Sequence, residues 1–401
     1  MISTLGNAKN EPKGDFLLVN GKTFEVVGTW PAPDSDKPRF NYDFWYQPRR
    51  NVMISTEWGS PKHIKGGLEA SHVLKGGHKQ THLQFPEHSI TCYLHSMVVP
   101  AALNGQRFCT TKLHYSTHPA NVLDFNAHDL DPSGEVYSVS NWKMPLKILI
   151  LDGIYGSDIH VWDWEKHLMK QTIKLGFADG VTPFEIRFLH NPASTHGFVG
   201  SAFGSTLYHF YMPEGSDKFM AEQVVKIPGK NLKDWMLPKV PALLSDIIIS
   251  MDDKYLYMSC WLHGEVRQYD ISKPNSPKLV GQIFIGGYGP ANLEGEDETC
   301  GNRIRELNGK VIDGGPQMLQ LSLDGKRLYV TTSLFSIFDK QFYPNLLKTG
   351  SKMLQINCNT ECGGLMLNEK FLVDFGEMDD GPFLAHEMRY PGGDCTSDIW
   401  L

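Results

Sequence analysis

The stretch IIISMDDKYLYMSCW, residues 247–261, reads as an apolar strand, a Ser-x-Asp turn and a second apolar strand. It recurs downstream as MLQLSLDGKRLYVTTSLF, residues 318–335, where Ser322, Asp324, Lys326, Leu328 and Tyr329 match Ser250, Asp252, Lys254, Leu256 and Tyr257. In each copy an Asp-Asp or Asp-Gly pair supplies the turn, and β-branched and aromatic residues fill the strands. GEVRQYDIS at 264–272 adds a third strand to the first copy, and IHVWDWEK at 159–166 and LLVNGKTFEVVGTW at 17–30 have the same strand-turn-strand grammar. Recurring units of about four strands that stack face to face predict an all-β fold of the β-propeller type. An antiparallel sandwich whose hairpins resemble one another by chance is the competing architecture. The propeller reading places Trp30, Trp58, Trp162 and Trp261 in the interior.

Composition agrees and excludes other classes. The 38 Gly and 24 Pro are spread between short apolar segments, as many tight turns require. A net charge of −7 with no basic run argues against a nucleic-acid partner. No apolar run approaches the ~20 residues of a membrane span, and the first residues carry no signal-like apolar core, so the expectation is a chain without an integral membrane segment. The seven cysteines are scattered and odd in number, which favours reduced thiols in a cytoplasmic compartment over a disulfide framework.

Residues 66–150 break the pattern. Their strand-like fragments share no period with the flanks, and nine of the 16 histidines fall between positions 63 and 128. The chain therefore divides into propeller sequence at 1–65, an irregular His-rich insert at 66–150, and further propeller sequence at 151–401. Within the insert, His114 and His118 would share one face of a helix, whereas Cys92 and Cys109 are too far apart for the usual zinc-finger cysteine pair. The insert is expected to form no sheet of the repeat.

Several phrases resemble the selenium-binding protein (methanethiol oxidase) family. They are YDFWYQPRRNVMISTEW (42–58), YGSDIHVWDWEKH (155–167), PFEIRFLHNP (183–192), the repeat region 245–272, the second repeat 314–344, and LAHEMRYPGGDCTSDIWL (384–401). The resemblance implies a seven-bladed propeller of which about four to five blades are present here. It also implies oxidation of methanethiol by oxygen and water to formaldehyde, hydrogen sulfide and hydrogen peroxide, with copper as cofactor and selenium as a further bound element. The family's early cysteine-rich segment and two of its histidine phrases have no counterpart in this sequence, which would leave the copper site incomplete and activity impaired. A selenium-binding, trafficking-associated propeller without enzymatic activity, with peripheral membrane contact and nuclear presence open to it, is the other role attached to the family, and a non-functional fragment is a further reading of this chain.

The resemblance places His386 as a copper ligand near the central axis. Imidazole suits copper in either oxidation state. His263, at the end of a repeat strand, is read either as a further ligand or acid–base group, or as a turn histidine packed on Trp261. His190 precedes Asn-Pro and reads as a loop anchor, and the face presented by His160 is left open. Cys260 and Cys395 are read as buried, inert thiols. Glu387 and Asp394 flank the terminal histidine and are positioned in sequence to orient it.

Overall fold

The computed structural model describes residues 1–68, 154–176, 178–231, 239–287 and 303–388, together with the backbone of two short paired strands, Met97–Val99 and Cys109–Thr111. The rest of the 66–150 segment, with His114, His118 and Cys92, lies outside the described residues, as do Asp394 and Cys395.

Four antiparallel sheets of four strands follow one another in chain order, each with its strands adjacent in space. The first comprises Phe44–Gln47, Val52–Thr56, Asp158–Asp163 and Leu168–Lys174. The second comprises Pro183–Phe188, Gly197–Ser201, Thr206–Tyr211 and Met220–Lys226. The third comprises Leu244–Ile249, Tyr255–Cys260, Glu265–Asp270 and Lys278–Phe284. The fourth comprises Leu319–Leu321, Arg327–Thr331, Lys352–Cys358 and Leu365–Asp374. A three-stranded leading sheet, Ile2–Gly6, Pro12–Val19 and Val26–Thr29, precedes them.

The opening strand of the second sheet packs on those of the first and third, and the opening strand of the third on that of the fourth. These strands are mostly buried while the last strand of each sheet is mostly half-buried or exposed, so the sheets radiate from an axis as propeller blades do. Apolar side chains fill each gap between neighbours. Trp45, Ile54, Ile186 and Phe210 join the first and second sheets, Phe198, Ile247 and Met258 the second and third, and Tyr257, Leu319 and Leu354 the third and fourth. Phe16, Trp30, Met53 and Trp162 join the leading sheet to the first. Trp30, Trp162 and Trp261 are buried, and Trp58 is half-buried.

The two repeat turns are built alike, which is why the sequence copies exist. Ser250 Oγ donates to Asp252 Oδ1 at 2.5 Å and accepts from the Tyr255 N–H at 2.9 Å. Ser322 and Asp324 make the same pair, with the Arg327 N–H on Ser322 Oγ at 3.1 Å. The next residue is left-handed in both, Asp253 at φ 56° and Gly325 at φ 70°. Glycine takes that conformation without strain, whereas Asp253 is held there by what its carboxylate binds, the N–H groups of His190 and Asn191 in the neighbouring sheet.

Loops between second and third strands gather at one end of the axis, where Tyr155, Phe203, Trp261, Leu262, Phe338 and Phe342 form a shared apolar cap. The cap takes in the start of the 66–150 segment. Ile64 and Leu68 are buried in it, and Leu68 exchanges two hydrogen bonds with the Gln341 side chain, its N–H to Oε1 at 2.9 Å and its carbonyl to Nε2. Just past the second repeat, Ser336–Phe342 is helical. Asp339 fixes its start by accepting from the Leu334 N–H and from Ser333 Oγ, and Phe338 and Phe342 turn their shared face into the cap.

Candidate functional site

Each opening strand lies at the inner edge of its sheet, so its outward backbone groups have no strand partner and need other bonds. The sequence supplies them in a repeating way. A hydroxyl on the first strand of the leading sheet, or on the second strand of a later one, reaches the next sheet's opening segment: Ser3 to the Tyr42 carbonyl, Thr56 to Phe184 at 2.8 Å, Ser259 to Gln317 at 2.6 Å, and Thr331 to His386 at 2.9 Å. In the second sheet Gly200 stands at this level and has no hydroxyl to give.

Carboxylates cap the neighbouring N–H groups. Asp43 Oδ2 accepts from Ile186 at 2.9 Å, and Asp246 Oδ2 accepts from Leu319 at 2.6 Å. Glu185, in the strand between them, turns instead to Arg187, whose Nη2 lies 2.8 Å from Glu185 Oε2 while Nη1 donates to Asp43 Oδ2 at 3.0 Å. The guanidinium also lies 4.4 Å over the Trp45 ring. One half-buried cation thus faces three carboxyl groups.

Their protonation follows from that imbalance. Burial, and then the charge of Asp43, push the Glu185 carboxyl well above the usual carboxylate range despite Arg187. Burial pushes Asp246 up to about 7, against the pull of Arg187 and the Leu319 N–H. Burial raises the Tyr42 hydroxyl, and the charges of Glu185, Asp43, Asp246 and the exposed Glu387 raise it further. The cluster can store and exchange a proton near neutrality.

The expected site residues separate. The His386 carbonyl takes the place occupied by Tyr42, Phe184 and Gln317 in the other sheets, so residues 385–388 enter at the position of a further innermost segment. Ala385 N–H to Ser351 Oγ at 2.6 Å and Gln320 Nε2 to the Met388 carbonyl at 3.2 Å hold them there. The His386 and Glu387 side chains are exposed. His263 is buried in the end cap, with Nε2 3.0 Å from the Val240 carbonyl and Nδ1 3.2 Å from Glu265 Oε1.

Burial alone would raise Glu265, but its bonds to His263 and Arg267 bring it to about 2. Both ring nitrogens of His263 therefore face acceptors, and neither offers a lone pair to a metal in this arrangement. In this arrangement His263 is tied to a carboxylate and a carbonyl. His190 is a loop anchor, its ring Nδ1 3.0 Å from Asp253. His160 is buried between Thr172, 3.0 Å from Nδ1, and Glu57, 3.1 Å from Nε2. The Cys260 thiol is buried and pushed up by burial, as an inert thiol would be.

The axial acids were missed. Asp43, Glu185 and Asp246 each stand at the head of an apolar opening strand, a signal that emerges only when several strands are aligned by register.

Fold and axis together define an all-β propeller protein whose innermost strands are tied by hydroxyls and carboxylates around one half-buried arginine. The model for the 56kDa selenium binding protein family (SBP56) matches residues 1–98 and 134–401, and the chain belongs to that family. It is 45% identical to the methanethiol oxidase of Rattus norvegicus over 406 residues, covering 100% of this chain and 69% of the relative. The Homo sapiens methanethiol oxidase is likewise 45% identical, over 407 residues, with the same coverage of both chains. Selenium-binding protein 2 of Mus musculus is 44% identical over 406 residues, again covering 100% of this chain and 69% of the relative. Among solved structures, a hypothetical selenium-binding protein from Sulfolobus tokodaii superposes with a TM-score of 0.69 at 30% identity, covering 100% of this chain and 68% of that one.

Proposed function

We propose that this protein is an oxidoreductase of the methanethiol oxidase type, converting methanethiol, oxygen and water to formaldehyde, hydrogen sulfide and hydrogen peroxide in the cytoplasm. The observation that carries the reading is the match of the whole chain to 69% of the length of relatives named for that activity. The axial cluster supports it chemically. A thiol must lose its S–H proton before sulfur can be oxidised, and Asp246, with a pKa of about 7, lies in a protein interior where proton transfer at neutral pH is matched.

Copper would supply the one-electron chemistry with oxygen, and His386 is the expected ligand available to hold it. Among the described residues no three His, Cys, Asp or Glu side chains come together as a metal site, and His263 is engaged elsewhere. The described residues therefore do not fit a complete copper centre, and no step is assigned to the metal. The second reading, selenium binding without turnover, draws on the family description.

The test is release of hydrogen peroxide and formaldehyde from methanethiol by the wild-type chain and by His386→Ala. Turnover in the first and its loss in the second supports the reading. Absence of turnover in a folded wild-type chain that retains selenium would favour the second.

A further inference from the structure

Away from the axis, the second sheet carries a chain of titratable groups that the proposed reaction does not use. Glu222 Oε1 lies 2.9 Å from His209 Nδ1, and His209 Nε2 lies 2.7 Å from His196 Nδ1. The two imidazole planes are 3° apart with centroids at 5.0 Å, a separation that two rings laid end to end across one hydrogen bond would produce. Tyr211 runs parallel to both, and Phe198 tilts against His209. His209 is buried, His196 is half-buried, and Glu222 reaches solvent.

The geometry fixes where the protons sit. A carboxylate only accepts, so His209 carries its proton on Nδ1 and presents a lone pair at Nε2. His196 must then donate from Nδ1, which leaves its own Nε2 as the site for the next proton. Burial lowers both histidines below the usual imidazole range, with Glu222 opposing. Glu222 is the charged group felt by both rings. The third sheet, packed on this face through Ile247, Ile249 and Leu256, is apolar here, and its turn residue Asp253 is engaged by His190.

We propose that Glu222, His209 and His196 form a two-step acid sensor that ties the entry to the second strand, at His196, to the third strand, at His209. A first proton on His196 Nε2 preserves every bond, giving an imidazolium donor to a neutral imidazole backed by a carboxylate. A second must go to His209 Nε2, where two N–H groups would then oppose each other at 2.7 Å. That bond breaks, so the segment that carries His196 into the second strand Gly197–Ser201 loses its tie to the third, while the Glu222 bond to His209 gains a charge. The device therefore absorbs mild acidification without structural change and responds only to a further fall in pH.

The test is an imidazole-resolved nitrogen NMR titration of the full chain, with amide exchange followed in parallel. Expected are Nδ1–H tautomers on both residues, protonation of His196 first, and faster exchange of the 196–198 amides only when His209 follows, with the 220–226 amides unchanged. Glu222→Gln keeps an acceptor but removes the charge, so the His196 midpoint should move down. His196→Gln should abolish the first step and leave His209 protonating without a preceding event. An Nε2–H tautomer on His209, two independent titrations, or an unchanged His196 midpoint in Glu222→Gln would each overturn the proposal.

Discussion

The second sheet contains two polar clusters at opposite ends of its radius, and they solve different electrostatic problems. At the axis, Glu185 and Arg187 stand in the opening strand with Asp43 and Asp246 from its neighbours. At the rim, Glu222 backs two neutral imidazoles in line. The axial cluster has more acid than base and lies within the protein, so its surplus negative charge is removed by protonation. The rim cluster has one charge and an opening to water, so its protons are ordered by hydrogen-bond geometry. The same sheet can thus hold a group tuned near neutrality inside and a pair held below its usual range outside.

Removing the axial cation should give the largest effect. In Arg187→Met the apolar stem is retained, but Asp43 and Glu185 lose their ion pairs and Asp246 its nearby counter-charge. Breaking a buried pair on one side costs ~3–5 kcal/mol, and that loss is expected at pH 7.5 in urea unfolding. The deficit should shrink toward pH 5, where the carboxyls can neutralise themselves. An equal loss at both pH values would mean that Arg187 acts by packing on Trp45 and not by charge.

How much of this could be read in advance depended on whether the signal was local. Residues 247–261 and 318–335 announced their hairpins because the Ser-x-Asp turn closes within six residues, and both turns have that geometry. The axial carboxylates act across sheets, and their shared position is hidden in the aligned pair of repeats, where Asp246 meets Met318. His263 stands two residues from its partner Glu265, but the Val240 carbonyl that occupies its other nitrogen is 23 residues upstream. His196 and His209 are 13 apart and meet only through strand register. The short helix at 336–342 escaped because its start depends on Asp339 reaching back to Ser333 and Leu334, a contact with no apolar period to mark it.

Neutralising one axial acid should have a smaller and opposite effect. Asp246 is raised to about 7, above the ~3.9 of an unfolded aspartate, so the folded state binds more protons between those values. Its contribution is therefore fully present below pH 4 and is lost as pH rises through 7. Asp246→Asn keeps an oxygen for the Leu319 N–H and removes the charge. Stability should be unchanged at pH 4 and higher by roughly 1–3 kcal/mol at pH 8. If the variant is instead destabilised at pH 8, the Asp246 charge is held by Arg187 more strongly than burial opposes it.

The smallest expected effect separates the inner-edge hydroxyls from one another. Thr56 Oγ1 donates to the Phe184 carbonyl and accepts from the Asp43 N–H at 3.0 Å, so Thr56→Val strands a buried donor and a buried acceptor. A cost of about 2–3 kcal/mol follows. Thr331 Oγ1 makes the one contact to the His386 carbonyl, at a place where the terminal segment meets solvent that can replace it. Thr331→Val should cost ~0.5–1 kcal/mol in global stability. Its clearer consequence is local: amide protection across 385–388 should fall while that of Leu319–Leu321 is unchanged, and the dependence of turnover on His386 should weaken with it. Were protection at 385–388 to survive the substitution, the Ser351 and Gln320 bonds would be sufficient to hold His386 at the inner edge, and the hydroxyl repeat would be a feature of folding without a part in placing that histidine.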